Sequence, residues 1–260
     1  IRKTNKTSIH KMKSFIKYTM ATVVGIFLTM TLFTIIGIIS LAGMIATEGM
    51  TAPIKEKSIL RINLSGELAE RDDANPFASL MGEVSASLSL EDALLALDKA
   101  AKNDKILGVY LEGGAMAANP GMAQELRQAL VEFKKSGKWV VAYGDSYGKT
   151  AYYLSSVADS VLLNPEGNVD FSGMATQIMF YKDVMEKVGV KMQVFKVGTY
   201  KSAVEPFICS EMSPANREQV TSYLFSIWTN MLKDVAENRN MEVSKLNSLA
   251  DSLTMISDAA

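Results

Sequence analysis

The 260-residue chain carries 27 basic and 28 acidic side chains, a net charge of -1, and is 48% apolar. That suits one folded core and leaves no global field favouring nucleic acid. Its one cysteine, Cys209, excludes an internal disulfide and a cysteine-built zinc site and reads as a buried small hydrophobe; its one histidine, His10, precedes a long apolar segment. No imidazole is therefore at hand for a Ser-His-Asp or Cys-His unit in the folded part.

The chain opens on Ile1, and Met12 looks the more natural start, which would leave residues 1–11 outside the native product. From Tyr18 to Thr47 no side chain is charged. About 20 apolar residues suffice for a helix to cross a bilayer. A cleaved signal peptide has an apolar core of only about 7–15 residues, so the run predicts an uncleaved anchor. Lys13 and Lys17, with Arg2, Lys3, Lys6 and Lys11 if translated, place the N-terminus inside, although Lys55, Lys57 and Arg61 follow the span. The expected organisation is a basic N-terminus over 1–17, an anchor over 18–47 and one globular domain over 55–260, since no Pro- or Gly-rich linker divides 55–240.

Ser58 to Leu64 reads as a first strand, β-branched and alternating, closed by Ser65-Gly66, and a polar connection follows over 69–88. Ser89-Leu90-Glu91-Asp92 matches a helix cap ahead of Ala93 to Leu97. Ile106 to Leu111 is a short apolar run typical of a strand buried on both faces. Pro120-Gly121 opens a helix through Phe133, stopped by Ser136-Gly137. Trp139 to Tyr143 is a second buried strand, and a helix over 150–157 precedes the strand Ser160 to Leu163 and a turn at Pro165-Glu166-Gly167. A helix over 176–188, a strand over 192–197, a long helix from Ser213-Pro214 to about Asn238 and an amphipathic helix over 242–256 complete the list. Alternating strand and helix implies mainly parallel pairing with right-handed crossovers, which alone leaves open a doubly wound sheet or a spiral of βα units.

Without an imidazole, a hydrolase built on this chain needs a lysine as its base, and a lysine serves only after apolar surroundings favour its neutral amine. Lys201 lies in Gly198-Thr199-Tyr200-Lys201-Ser202-Ala203-Val204-Glu205-Pro206-Phe207, with Val197, Ala203, Val204 and Phe207 near in sequence. This stretch closely resembles the catalytic-lysine motif of the signal peptide peptidase A (protease IV) family in its long form, Ser-Lys peptidases of family S49. The resemblance extends from about Lys13 to about Asn240.

The resemblance implies a spiral of ββα units, the ClpP/crotonase-like fold, behind one N-terminal membrane helix. It implies that Lys201 is the general base. In short members the nucleophilic serine precedes Gly-Gly-Tyr-Tyr at a helix start; here Lys149 takes that place in Gly148-Lys149-Thr150-Ala151-Tyr152-Tyr153, and Ser146 and Thr150 stand beside it, not at it. The chain thus resembles the N-terminal half of a long member, whose other half brings the serine, and is expected to be inactive alone. Gly113-Gly114 lies at the level of the family's oxyanion turn, against a plain turn needing positive φ, and Ser172-Gly173-Met174 lies at its substrate groove. The implied activity is degradation of released signal peptides and other extended apolar peptides by a homo-oligomer, a tetramer in the long form. The soluble part would face the periplasm from the bacterial cytoplasmic membrane, with no nucleic acid partner. No metal-ligand spacing, phosphate loop or dinucleotide fingerprint is present, so no cofactor is expected. A non-catalytic anchored peptide-binding scaffold and an acyl-thioester enzyme on the same fold are the rival readings.

Overall fold

The structure is a computed structural model that describes residues 4–48, 53–71 and 87–252. It divides into two compact units, Ile1–Ile54 and Lys55–Ala260. The first contains the helix α1 (Thr4–Glu48), in which Met12–Ser40 is long and apolar enough to cross a membrane and has no buried residue. Its threonines remain compatible with hydrocarbon because each hydroxyl is satisfied within the helix: Thr19, Thr22, Thr29, Thr31 and Thr34 donate to the carbonyls four residues back at 2.7–2.9 Å.

In the second unit the chain runs β1 (Ser58–Asn63), β2 (Gly66–Ala69), β3 (Ser87–Ser89), α2 (Leu90–Lys102), β4 (Ile106–Glu112), β5 (Met116–Ala117), α3 (Pro120–Lys134), β6 (Trp139–Tyr147), α4 (Lys149–Ser155) and β7 (Ser160–Val169). Then come α5 (Lys182–Lys187), a 3-10 turn (Ser202–Val204), α6 (Glu205–Ile208), α7 (Pro214–Arg239) and α8 (Val243–Asp251). All described strand pairs are parallel. The larger sheet has the order β1-β4-β6-β7 and the smaller β3-β2-β5. A doubly wound sheet reverses direction at a switch point. Here each new strand of the larger sheet is laid beside the last in one direction, with a step through the small sheet and a helix before β4 and before β6 and a helix alone before β7, which is the spiral of ββα units that the family resemblance implies.

The capping expectations hold in atomic detail. Ser89 Oγ accepts from Asp92 N at 3.2 Å, with Glu91 and Asp92 in the first turn and Lys99 and Lys102 in the last, matching the helix dipole. Asn119 Oδ1 caps α3 through Gly121 N at 3.0 Å, and Gly137, at φ +79°, turns the chain after it. Ile62, Val109, Leu111, Val140 and Ala142 fill the sheet, and Leu97, Leu126, Leu130, Phe133 and Leu154 press helices α2, α3 and α4 onto it.

Several expectations are corrected. The turn at 165–167 does not end the strand: β7 runs on to Val169, and Asn164 to Gly167 loop out where the register slips opposite Gly144 and Ser146. Asn164 Oδ1 accepts from Glu166 N at 3.0 Å, an Asx turn inside the ladder. The helix over 176–188 shrinks to Lys182–Lys187, and residues 192–197 form no strand, because no described strand pairs with them and Val197 is left 90% exposed. Cys209 is half-buried rather than buried. The last helix spans Val243–Asp251, and its expected continuation past 252 lies outside the described residues.

Candidate active site

The lysine turn begins where Gly198 takes φ +99°, a conformation that side-chain-bearing residues resist. Lys201 then stands at the start of the 3-10 turn, and α6 follows with Pro206 in its first turn. The Lys201 side chain is exposed and makes no hydrogen bond or ion pair with any described residue. It borders an open cleft of about 680 Å³ lined also by Phe195, Val197, Tyr200, Val204 and Gln219. Of the apolar residues expected around the amine, Val197, Ala203 and Val204 line this cleft and Phe207 stacks on Tyr181 instead, and Phe195 and Val197 are 91% and 90% exposed.

What holds the turn is α7. Tyr200 OH donates to Glu218 Oε2 at 3.2 Å, and Ser202 Oγ donates to Gln219 Oε1 at 2.9 Å. Glu205, only 2% exposed, accepts from Ser213 Oγ at 2.7 Å, Ser213 N at 3.2 Å and Asn216 Nδ2 at 3.0 Å. Burial alone would raise the Glu205 carboxyl, but these hydrogen bonds from Ser213 and Asn216, together with the Lys196 charge, outweigh it and hold it below the ordinary glutamate value. On the other side, Tyr181 stacks on Phe207 at 6.0 Å, its N–H donates to the Pro206 carbonyl at 2.6 Å, and Ser210 Oγ donates to Asp183 Oδ1 at 2.7 Å. Sequence reasoning missed Glu205; an acid between apolar residues four positions after Lys201, upstream of Ser213-Pro214-x-Asn216, was the available signal.

The other singled-out residues meet at the far ends of β4 and β6. Gly113 N–H donates to the Tyr143 carbonyl at 2.7 Å, which leaves it no donor for an oxyanion, and Gly148 N–H donates to the Gly114 carbonyl at 2.9 Å. Neither glycine has positive φ. Space is what requires them: a Cβ on Gly113 would stand 2.4 Å from the Tyr147 ring, and one on Gly114 2.1 Å from Ser65 Oγ. Lys149, the first residue of α4, donates through Nζ to the Gly173 carbonyl at 2.6 Å. Ser172 turns back on Asp170, its Oγ donating to Oδ1 at 2.8 Å, and Met174 packs on the core. The structure thus joins Gly114, Gly148, Lys149 and Gly173, with Gly113 packed on Tyr147 beside them, and no hydrogen bond ties Lys201 to Ser146, Thr150 or any other described hydroxyl. Among the described residues no group of acids, cysteines or histidines is placed to hold a metal.

The model of peptidase family S49 matches residues 132–260, a span that contains both Lys149 and the whole lysine turn. The chain belongs to this family, among the signal peptide peptidase A proteins. It is 35% identical over 207 residues to Protease 4 of Haemophilus influenzae, covering 75% of this chain and 33% of the relative. Against Protease 4 of Salmonella typhi it is 35% identical over 223 residues, covering 80% and 36%. The chain therefore spans about a third of the length of these two relatives. A crystal structure of an enoyl-CoA hydratase/isomerase family protein from Silicibacter pomeroyi aligns over 79% of this chain and 98% of its own, at 13% identity and a TM-score of 0.29, too slight a likeness to bear on chemistry.

Proposed function

We propose that this S49 chain is the lysine-bearing part of a membrane-anchored serine endopeptidase that cleaves extended apolar peptides such as released signal peptides. The observation that carries this reading is Lys201: an amine with no partner among the described residues, on a turn tied to α7 and beside an open apolar-lined cleft. In the proposed reaction a serine from the remainder of the longer protein gives its Oγ proton to the Lys201 amine and attacks the scissile carbonyl. The lysine returns that proton to the departing amine, and water then releases the acyl group by the same route. Lys149, at the helix start where short members carry the serine, gives this region no nucleophile, so the chain alone is inactive on this reading. The apolar span in α1, preceded by Lys13 and Lys17, supports anchoring with the soluble unit on the periplasmic side. Assembly into a homo-oligomer belongs to the same proposal.

The test is Lys201→Arg beside Lys201→Ala in the complete protein, with an apolar peptide substrate. Arginine keeps charge and approximate length but cannot give up its proton at usable pH. Both variants are expected to lose about three decades or more of kcat/KM. An arginine variant within about tenfold of wild type overturns the assignment, since a cation that only bound substrate would survive the exchange.

A further inference from the structure

Glu205 is a buried carboxylate with no cation within ion-pair distance among the described residues; Ser213 and Asn216 supply its hydrogen bonds, and the Lys196 charge acts on it only from farther away. Burying a carboxylate is costly unless hydrogen bonds replace its water, so its presence calls for a reason. The start of α7 does not supply one. Ser213 Oγ already caps that helix by accepting from Asn216 N at 3.2 Å, and its hydroxyl proton is spent on Glu205. What the carboxylate adds is a bond between α7 and the chain one helical turn beyond Lys201.

We infer that Glu205 is a positioning residue, fixing the Lys201 turn to the first turn of α7 so that the amine is presented at one place. The inference rests on the general-base reading of Lys201. The exposed clips Tyr200–Glu218 and Ser202–Gln219 brace the same turn immediately on either side of the lysine, but solvent competes for both. Glu205 is the clip that water does not reach. The Ser213 amide and the Asn216 NH₂ both donate to one carboxylate oxygen, so glutamine, though isosteric, keeps its carbonyl there, turns its NH₂ to Ser213 Oγ, which must then accept instead of donate, and loses the charge that strengthens all three bonds. A reacting amine displaced by an ångström loses rate without losing substrate affinity.

The experiment is Glu205→Gln in the complete protein, read by amide hydrogen exchange and by steady-state kinetics. Exchange over residues 199–208 is expected to rise by about tenfold or more, with β4 and β6 unchanged. kcat should fall about 10- to 100-fold with KM within about twofold. If Glu205→Gln does not fold, Asn216→Ala removes one donor from the same carboxylate and should raise exchange in the same segment by about threefold. Unaltered exchange over 199–208, or kcat lost only in proportion to the folded fraction, overturns the inference. Faster exchange together with an active Lys201→Ala removes the general-base reading instead and leaves Glu205 as the tether of the turn.

Discussion

Replacing Arg127 by methionine should destabilise the soluble unit through the helix that carries the lysine turn. Arg127 is 4% exposed on α3, where Nη1 donates to the Tyr153 carbonyl at 2.5 Å and to Ser156 Oγ at 2.8 Å. Nη2 donates to the Asp234 carbonyl of α7 at 2.7 Å, and the guanidinium lies 4.7 Å over the Tyr153 ring, whose OH donates to Asp234 Oδ2. Burial draws the Arg127 pKa down from its ordinary value, and Tyr153 and Asp234 act the other way. Removing one partner of a buried charged set costs about 3–5 kcal/mol. The lower end applies here, because the acceptors left behind are not orphaned: Ser156 Oγ still donates to the Tyr153 carbonyl at 2.8 Å and Asn238 Nδ2 to that of Asp234 at 3.0 Å. Methionine also keeps most of the stem's packing. The expected loss is about 3 kcal/mol, or about 6–12 °C in Tm for a unit of this size. Urea unfolding of the purified chain in detergent would measure it, followed by the fluorescence of Trp228, which is held between Phe171 and Asn247 and so reports α7 docking. A loss below about 1 kcal/mol would show that α7 is fastened by its apolar face alone, and the reasoning would fail.

Gly113→Ala should cost about 1–3 kcal/mol, because the ring it meets is buried and pinned by the bond from Tyr147 OH to the Leu162 carbonyl at 2.9 Å. Gly114→Ala should cost less, since Ser65 Oγ can rotate away; equal urea midpoints for the pair would contradict this. At Asp159 burial alone would raise the carboxyl, but the Lys134 ammonium at 2.7 Å and the Val140 amide at 2.8 Å outweigh it and hold the pKa below the ordinary aspartate value. A lowered folded pKa means stability that is present above the unfolded value and lost as pH falls through the folded one. The side chain is 46% exposed, so the advantage of wild type over Asp159→Asn is expected to be at most about 1 kcal/mol at neutral pH and to vanish in acid; a difference independent of pH would refute it.

Local signals were legible wherever they coincided with a buried or capped element. Ile106 to Leu111 announced a central strand because both its faces are covered, and Ser89, Pro120 and Ser213-Pro214 announced helix starts because their side chains or rings satisfy those ends. Strands of two to four residues, such as Gly66–Ala69 and Met116–Ala117, show too little alternation to be seen, so the small sheet went unread. The reverse error arose at 192–197, where Met192, Val194 and Val197 carry strand-like residues but strand propensity describes fit to a neighbour, and no described neighbour is there. For the site, the lysine was legible from its motif. The three clips to α7 were not, since they pair residues 8 to 18 positions apart that nothing in the local pattern links.

That difference bears on the division of labour in the proposed enzyme. On the proposed reading, the region around β4, β6 and α4 corresponds to the family's catalytic frame, here closed on itself. Gly113 has given its amide to the sheet, and Lys149 stands at the helix start with its amine on the Gly173 carbonyl, which on that reading is one of the backbone groups an extended peptide would pair with. The lysine turn is the opposite case: three clips hold the backbone around Lys201, and the amine is left without a partner among the described residues. On the proposed reading, evolution of this half has spent its hydrogen bonds on silencing one centre and on presenting a base to another. Substitutions in the first turns of α7, at Ser213, Asn216, Glu218 or Gln219, then act on catalysis through the place of Lys201, whereas those at Lys149 act on peptide access to a groove that does no chemistry.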